Sequence, residues 1–280
     1  MGEGAPILAH SLVVADGAAP TRLMLFLHGL FGRGGNLRTV ARGFVQARPQ
    51  WGAVLVDLRL HGGSQGFPPP HTVEEAARDL ERLRDHLALP VRGVAGHSLG
   101  GKIALIHFAR TGGTLDHAFV IDAQPGARPG RDGPHTTLGV FDWLSSLPRR
   151  LPSRDAFVAL AVAAGHDRAL ALWLAANWQR TGEEYSLILD LPSLRQVVDS
   201  YFAAELWPLL EAPPGRGRIH LIVGARSPVF WADDRERLHR AVAAGGGRVT
   251  AHELDTSHWV HSEDPAGVIR LLADAVGGED

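Results

Sequence analysis

The chain has 280 residues, 45% of them apolar and 21% charged, with a formal net charge of −2. That balance predicts a soluble globular protein with ample core and gives no electrostatic reason to bind nucleic acid or an anionic membrane. With no cysteine in the chain, disulfides, a thiol nucleophile and thiolate metal sites are excluded.

The opening residues, MGEGAPILAHSLVV, lack the basic stretch of a signal peptide. Gly2 is followed by Pro6 where an acylation signal wants Ser or Thr. The most apolar region, Phe157–Ala176, is broken by Gly165-His166-Asp167-Arg168 and is too interrupted to span a bilayer. A cytoplasmic protein is therefore expected.

Ile7–Val14 reads as an opening strand closed by Ala15-Asp16-Gly17, and Arg22–Leu27 as a buried strand ending in His28-Gly29-Leu30-Phe31-Gly32. The glycine-rich loop after it suits backbone N–H groups aimed at a ligand. A helix over Asn36–Ala47 and a buried strand over Trp51–Leu58 follow. Thr72-Val73-Glu74-Glu75 is a capping box, and Val73, Ala76, Ala77, Leu80, Leu83 and Leu87 keep one helical face. A short apolar run from Val91 leads into Gly96-His97-Ser98-Leu99-Gly100, then helical spacing to Arg110, then a strand over Ala118–Asp122.

Strand-like runs then nearly vanish. Between Gln124 and about Pro214 the helical candidates are Thr137–Leu147, Arg154–Ala164, Arg168–Gln179 and Leu194–Phe202, with Ser153, Asp167 and Pro192 as start signals. Tyr185–Leu189 is the one brief exception. Strand and helix resume with Arg218–Val223, Asp233–Ala244, Arg248–Leu254 and Pro265–Val276. The alternation predicts an α/β fold, a doubly wound and mostly parallel sheet, made of residues 1–123 and 215–280. Residues 124–214 are expected to be a helical cap inserted over the sheet edge, with a minority of its aromatics lining an apolar pocket.

Gly-x-Ser-x-Gly between a strand and a helix carries a mechanism. Its glycines allow a sharp turn that presents Ser98 at the sheet edge, beside a helix N-terminus. The overlapping Gly96-x-x-x-x-Gly101-Lys102 resembles a phosphate loop. Its last position is Ile103, however, where that motif needs a hydroxyl to hold Mg²⁺.

A serine needs a base. His258, in Asp255-Thr256-Ser257-His258-Trp259, follows the last predicted strand by a short loop, at the same edge as Ser98 and after it in sequence. His258 and His261 alone make a weak metal pair, so no metal is expected, and His97 is expected to pack under the turn. An oxyanion hole needs two backbone donors. These are expected from Leu99 and from Leu30, with Phe31 as the neighbouring alternative.

These motifs, together with Asp57-Leu58-Arg59-x-His61-Gly62-x-Ser64 and Ser257-His258-Trp259-Val260-His261, resemble the α/β-hydrolase fold. More narrowly they are similar to small capped serine esterases with an HGLFG loop and a GHS-x-GGK turn. The superfamily's acid commonly follows the strand after the cap, where this chain has Arg226-Ser227-Pro228 and no carboxylate. Asp122 ends the strand after the serine's helix, and the resemblance implies that the acid stands there; Asp190 and Asp199 remain alternatives. Asp57 is expected to fix its own loop against Arg59 or His61, and Asp233 and Asp234 to compensate a helix N-terminus.

The resemblance implies a Ser98-His258-Asp122 triad cleaving small or medium acyl esters through an acyl-enzyme, without a cofactor. The expected partner is a small-molecule ester, with no nucleic acid and no membrane. A thioesterase, an amide, lactone or C–C hydrolase, or a low-turnover binding protein on the same scaffold are the alternatives.

Overall fold

The computed structural model describes residues 6–128 and 136–277; Gly2 and the outermost residues of the expected core lie outside them. In chain order the elements are β1 (His10–Val13), β2 (Arg22–Leu27), α1 (Arg38–Ala47), β3 (Trp51–Val56), α2 (Val73–His86), β4 (Val91–His97), α3 (Leu99–Arg110) and β5 (His117–Ile121). The chain continues through α4 (Thr137–Ser146), β6 (Arg150–Leu151), α5 (Arg154–Ala163), α6 (Arg168–Ala175), β7 (Trp178–Thr181), β8 (Glu184–Leu187), α7 (Leu191–Ala203) and α8 (Trp207–Glu211). It closes with β9 (Arg218–Gly224), α9 (Ala232–Ala244), β10 (Val249–Leu254), α10 (Val260–Glu263) and α11 (Pro265–Val276).

Seven strands form one sheet in the order β1-β3-β2-β4-β5-β9-β10. Only β1 runs antiparallel, pairing His10 with Val56 and Val13 with Ala53. Helices cover both faces, and this explains why Leu23, Met24, Leu25, Phe26 and Leu27 of β2 are all buried. Met24 and Phe26 pack with Phe44 of α1 and with Val268 and Leu272 of α11. Leu25 and Leu27 face Leu80 of α2 and Ile103 of α3 on the other side.

Because β2, β4, β5, β9 and β10 are parallel, the loops that leave their C-terminal ends crowd one edge of the sheet. That edge is where open α/β sheets bind ligands. His28–Phe31, Ser98, Asp122, Ser227 and His258 all follow these strand ends.

The segment between β5 and β9 holds more strand than the one brief run expected at Tyr185–Leu189. Besides its helices it holds a three-stranded antiparallel sheet, β6-β8-β7. The helix expected over Arg168–Gln179 stops at Ala175. Asn177 turns its N–H back to Leu174 O at 3.0 Å, and Trp178 is buried against Phe157 at 5.3 Å. Gln179-Arg180-Thr181 then pairs with Glu184–Ser186 around Gly182, whose φ of 69° suits a tight turn. Ser153 and Asp167 do cap α5 and α6. The cap of α7 is Asp190, with Pro192 in the first turn.

Candidate active site

Ser98 sits between β4 and α3 at φ 52°, ψ −114°, a conformation that L-residues avoid. Its N–H donates to Ile121 O at 2.9 Å, and its carbonyl accepts from Gly101 N at 2.9 Å. A Cβ on Gly96 would stand 2.0 Å from Gly100 O, and one on Gly100 would stand 2.5 Å from Leu27 O. The two glycines are therefore required by space. The Leu99 N–H, the first of α3, lies at the positive end of that helix beside the Ser98 hydroxyl.

Asp122 directly follows β5 at φ 47° and is fully buried. Its Oδ2 lies 2.6 Å from His258 Nδ1 and accepts from Ser227 Oγ at 2.5 Å, while Oδ1 accepts from Gly224 N at 3.0 Å. Both oxygens of a carboxylate taken out of water are thus satisfied. Ser227 occupies the position after β9 where the superfamily that the sequence resembles commonly places its acid. It donates to an acid that stands one strand away. The alternatives Asp190 and Asp199 are exposed: Asp190 caps α7, and Asp199 pairs with Arg195 at 3.0 Å.

The loop carrying His258 is fastened on two sides. Ser257 N–H donates to Glu263 Oε2 at 2.9 Å, and Ser257 Oγ also bonds that carboxylate, holding the Glu263 carboxyl below its usual range. His97, buried under the turn, donates from Nε2 to His258 O at 2.9 Å, and its ring lies 4.7 Å from the His258 ring. Because the partner is a carbonyl, Nε2 must carry the proton. His261 packs on the same ring at 4.4 Å.

The loop after β2 distinguishes Leu30 from Phe31 as a donor. Phe31 N–H is already spent on His61 Nε2 at 3.1 Å. Gly29 O accepts from His28 Nδ1 at 2.7 Å and from Gly32 N at 3.0 Å. In a trans peptide the C=O and the next N–H point in opposite directions. Fixing Gly29 O on one side therefore turns the Leu30 N–H to the other.

Asp57 corrects an expectation. It accepts from Gly34 N and Gly63 N, each at 2.8 Å, rather than from Arg59 or His61. Arg59 instead pairs with buried Asp79 at 2.6 and 3.1 Å and donates to Pro70 O at 2.6 Å. Asp234, expected to compensate the N-terminus of α9, does sit in its first turn and also takes Gln124 Nε2 at 3.0 Å and Arg128.

These pieces meet in one cavity of about 420 Å³. Ser98, His258, Leu30 and Leu99 line it from the sheet edge, and Trp173 and Phe202 from the inserted segment. Most other aromatics of that segment, such as Phe157, Trp178 and Trp207, are core. Lys102 lies at its wall, buried, and donates to Gly126 O, Tyr201 O and Ala204 O at 2.7, 2.8 and 3.0 Å. All three ammonium protons are used within the protein, leaving none to hold a phosphate. Burial pushes its pKa down to about 8.

Burial also keeps several histidines neutral. It pushes His61, His107 and His261 down to about 4 and His220 to about 3, and holds His28 and His97 well below the usual imidazole range. Below pH 6.5 the unfolded chain protonates these rings and the folded chain does not. The unfolded state therefore binds more protons, and stability falls as pH drops from 6.5 towards 4, by up to about 1.4 kcal/mol per pH unit for each histidine. Thermal unfolding followed from pH 7 to 4 is expected to show a steep fall in Tm beginning near pH 6. A Tm that stays level between pH 7 and 5 would contradict these burial states.

A model of the alpha/beta hydrolase family matches residues 24–271. The chain belongs to that family. As an alpha/beta hydrolase it is similar to the sn-1-specific diacylglycerol lipase ABHD11 of Danio rerio, 25% identical over 263 residues covering 92% of this chain and 80% of the relative. It is also similar to the esterase YbfF of Escherichia coli (strain K12), 25% identical over 259 residues covering 89% of this chain and 91% of that protein. With esterases and lipases as its relatives over most of both chains, it is a hydrolase. Among solved structures a marine microorganism esterase shares the fold, with a TM-score of 0.77 over 96% of this chain and 99% of that one, at 19% identity. No helix among the described residues is long and apolar enough to cross a membrane.

Proposed function

We propose that this alpha/beta hydrolase cleaves carboxylic esters of small or medium acyl chains with a Ser98-His258-Asp122 triad. The observation that carries the reading is the 2.6 Å contact between His258 Nδ1 and a fully buried Asp122, at the sheet edge that also presents the strained Ser98 turn. In the proposed sequence His258 takes the Ser98 Oγ proton as oxygen attacks the acyl carbon. The Leu30 and Leu99 N–H groups hold the developing oxyanion, and Asp122 orients the imidazole and stabilises its charged form. Collapse expels the alcohol, protonated by His258. Water, deprotonated by the same ring, then releases the acid from the acyl-enzyme.

Residues 124–214 act as the cap in this reading, over a core of residues 1–123 and 215–280. Their aromatic contribution to the cavity, Trp173 and Phe202 among others, supports an apolar acyl or alkyl group over a charged one. The diacylglycerol lipase and esterase names of the relatives support ester over thioester, amide or C–C cleavage.

Hydrolysis of p-nitrophenyl acetate, butyrate and octanoate tests this directly. Turnover within the usual enzymatic range of roughly 1–10³ s⁻¹, with the chain-length profile set by the cavity, is the expected result. A protein that binds these esters and turns over less than about once an hour would be a binder on a hydrolase scaffold instead.

A further inference from the structure

The loop that carries Leu30 is held from two directions. The core holds it through His28 on Gly29 O and His61 on Phe31 N–H. The other holders come from the inserted segment. Trp173 of α6 donates its indole Nε1–H to Leu30 O at 3.2 Å, and Asn177, just beyond α6, donates Nδ2 to Phe31 O at 2.7 Å. Arg33 returns a bond to Ala176 O. Asn177 is fully buried, and its other Nδ2 contact is also a carbonyl, Leu174 O at 3.4 Å. Two carbonyl neighbours require the nitrogen, rather than the oxygen, to face them.

The fit is close. A Cβ on Gly32 would stand 2.7 Å from the Trp173 ring, so the indole lies directly on the loop backbone. The same indole packs on Trp259 at 4.9 Å, next to His258. Phe31 has φ 62°, a conformation that an unsupported phenylalanine leaves readily. Its two flanking peptides are tied at Leu30 O, Phe31 N, Phe31 O and Gly32 N, and two of those four ties come from the inserted segment.

We infer that Trp173 and Asn177 are positioning residues for the oxyanion hole, so that the segment over the cavity completes the catalytic geometry as well as shaping the pocket. The inference rests on the Ser98 reading above. It makes the Leu30 N–H direction depend on the inserted segment being seated: Asn177 fixes Phe31 O, and the N–H of that same Phe31–Gly32 peptide is one of the two donors that hold Gly29 O and so aim the Leu30 N–H.

Two ligands separate this role from a pocket role. An alkyl trifluoromethyl ketone takes Ser98 Oγ at its carbonyl carbon, the hydroxyl proton passes to His258, and the carbonyl oxygen becomes an oxyanion in the hole. The alcohol of the same chain length fills the cavity and makes no oxyanion. Asn177→Leu keeps the side-chain size and removes the donor; Trp173→Phe keeps an aromatic ring and removes Nε1–H. Loss of an oxyanion donor itself costs about 10²–10³ in kcat, so loss of its support in Asn177→Leu, outside the cavity lining, is expected to cost about 10-fold in kcat and in ketone affinity, with KM and alcohol affinity changed less than about 3-fold. Trp173→Phe also reshapes the cavity wall and is expected to weaken both ligands, the ketone by about 10-fold more. Leu170→Ala, which alters the cavity wall and removes none of the hydrogen bonds that hold the loop, is expected to weaken both ligands together.

If Asn177→Leu fails to fold, Asn177→Ala, which also removes the donor outside the cavity lining, carries the same comparison. Ketone and alcohol affinities that move in parallel, or that do not move, overturn the inference while leaving the esterase reading intact. Wild-type protein that neither hydrolyses esters nor binds the ketone overturns that reading and this inference with it.

Discussion

Replacing Ser98 by alanine is expected to lower kcat for ester hydrolysis by about 10⁴-fold or more while leaving the fold and ligand affinity in place. The size follows from what the residue does in the proposed mechanism. Without Oγ no acyl-enzyme forms, and His258 is left beside a cavity with no nucleophile to activate. The residual rate comes from water attacking an ester whose carbonyl oxygen still rests on the Leu30 and Leu99 N–H groups. Ser98 adopts φ 52° at a turn dictated by Gly96 and Gly100, and alanine tolerates that conformation about as well as serine. The variant is therefore expected to keep the wild-type Tm within a few degrees, and to bind substrate with an unchanged KM-like affinity. Activity assays with a matched thermal melt check both halves; a variant that keeps more than about a tenth of the activity would remove Ser98 from the reaction.

Asp122→Asn is expected to cost about 10²–10⁴-fold in kcat, with little change in KM. The carboxylate now accepts from His258 Nδ1, Ser227 Oγ and Gly224 N. An amide turned to keep the Gly224 bond presents its NH₂ to His258, which favours the tautomer with the proton on Nε2. That ring cannot take a proton from Ser98. The imidazolium also loses the negative charge that stabilises it. Asp190→Asn and Asp199→Asn, on exposed side chains of the inserted segment, are expected to stay within about 2-fold of wild type. A near-normal Asp122→Asn, with the loss appearing in either of the others, would move the acid and leave the serine and histidine standing.

Much of the fold is legible in the amino-acid sequence alone. The seven-stranded sheet announces itself in buried runs such as Arg22–Leu27 and Trp51–Val56, because strands covered on both faces have no polar alternation. Parallel pairing then brings the C-terminal ends of β2, β4, β5 and β10 together whatever the loops do, so strand order alone puts Ser98, Asp122 and His258 at one edge. Leu30 is separable from Phe31 only through the His61 Nε2 that occupies the Phe31 N–H.

Contacts between segments far apart in sequence are what local patterns hide. Ser227 reads as a loop serine until Asp122, 105 positions away, accepts from it. Asn177 and Trp173 reach residues 30 and 31 across more than a hundred positions, and no local spacing encodes that. Arg59 finds Asp79 instead of its near neighbour Asp57 for the same reason. The β7–β8 hairpin does leave a signal, Gln179-Arg180-Thr181-Gly182 ahead of Tyr185. The apolar helical spacing just before it, through Ala171, Leu174 and Ala175, masks where the helix ends.

The most direct measurement of the central claim is to label the intact protein with an alkyl fluorophosphonate and locate the adduct by peptide mass spectrometry. The reagent is attacked by an activated serine, with loss of fluoride. The expected result is one adduct per chain, on the peptide containing Ser98, absent in Ser98→Ala and formed at least about 10²-fold more slowly in Asp122→Asn. A protein that hydrolyses esters but carries the label on another residue, or labels equally well without Ser98, would contradict the account.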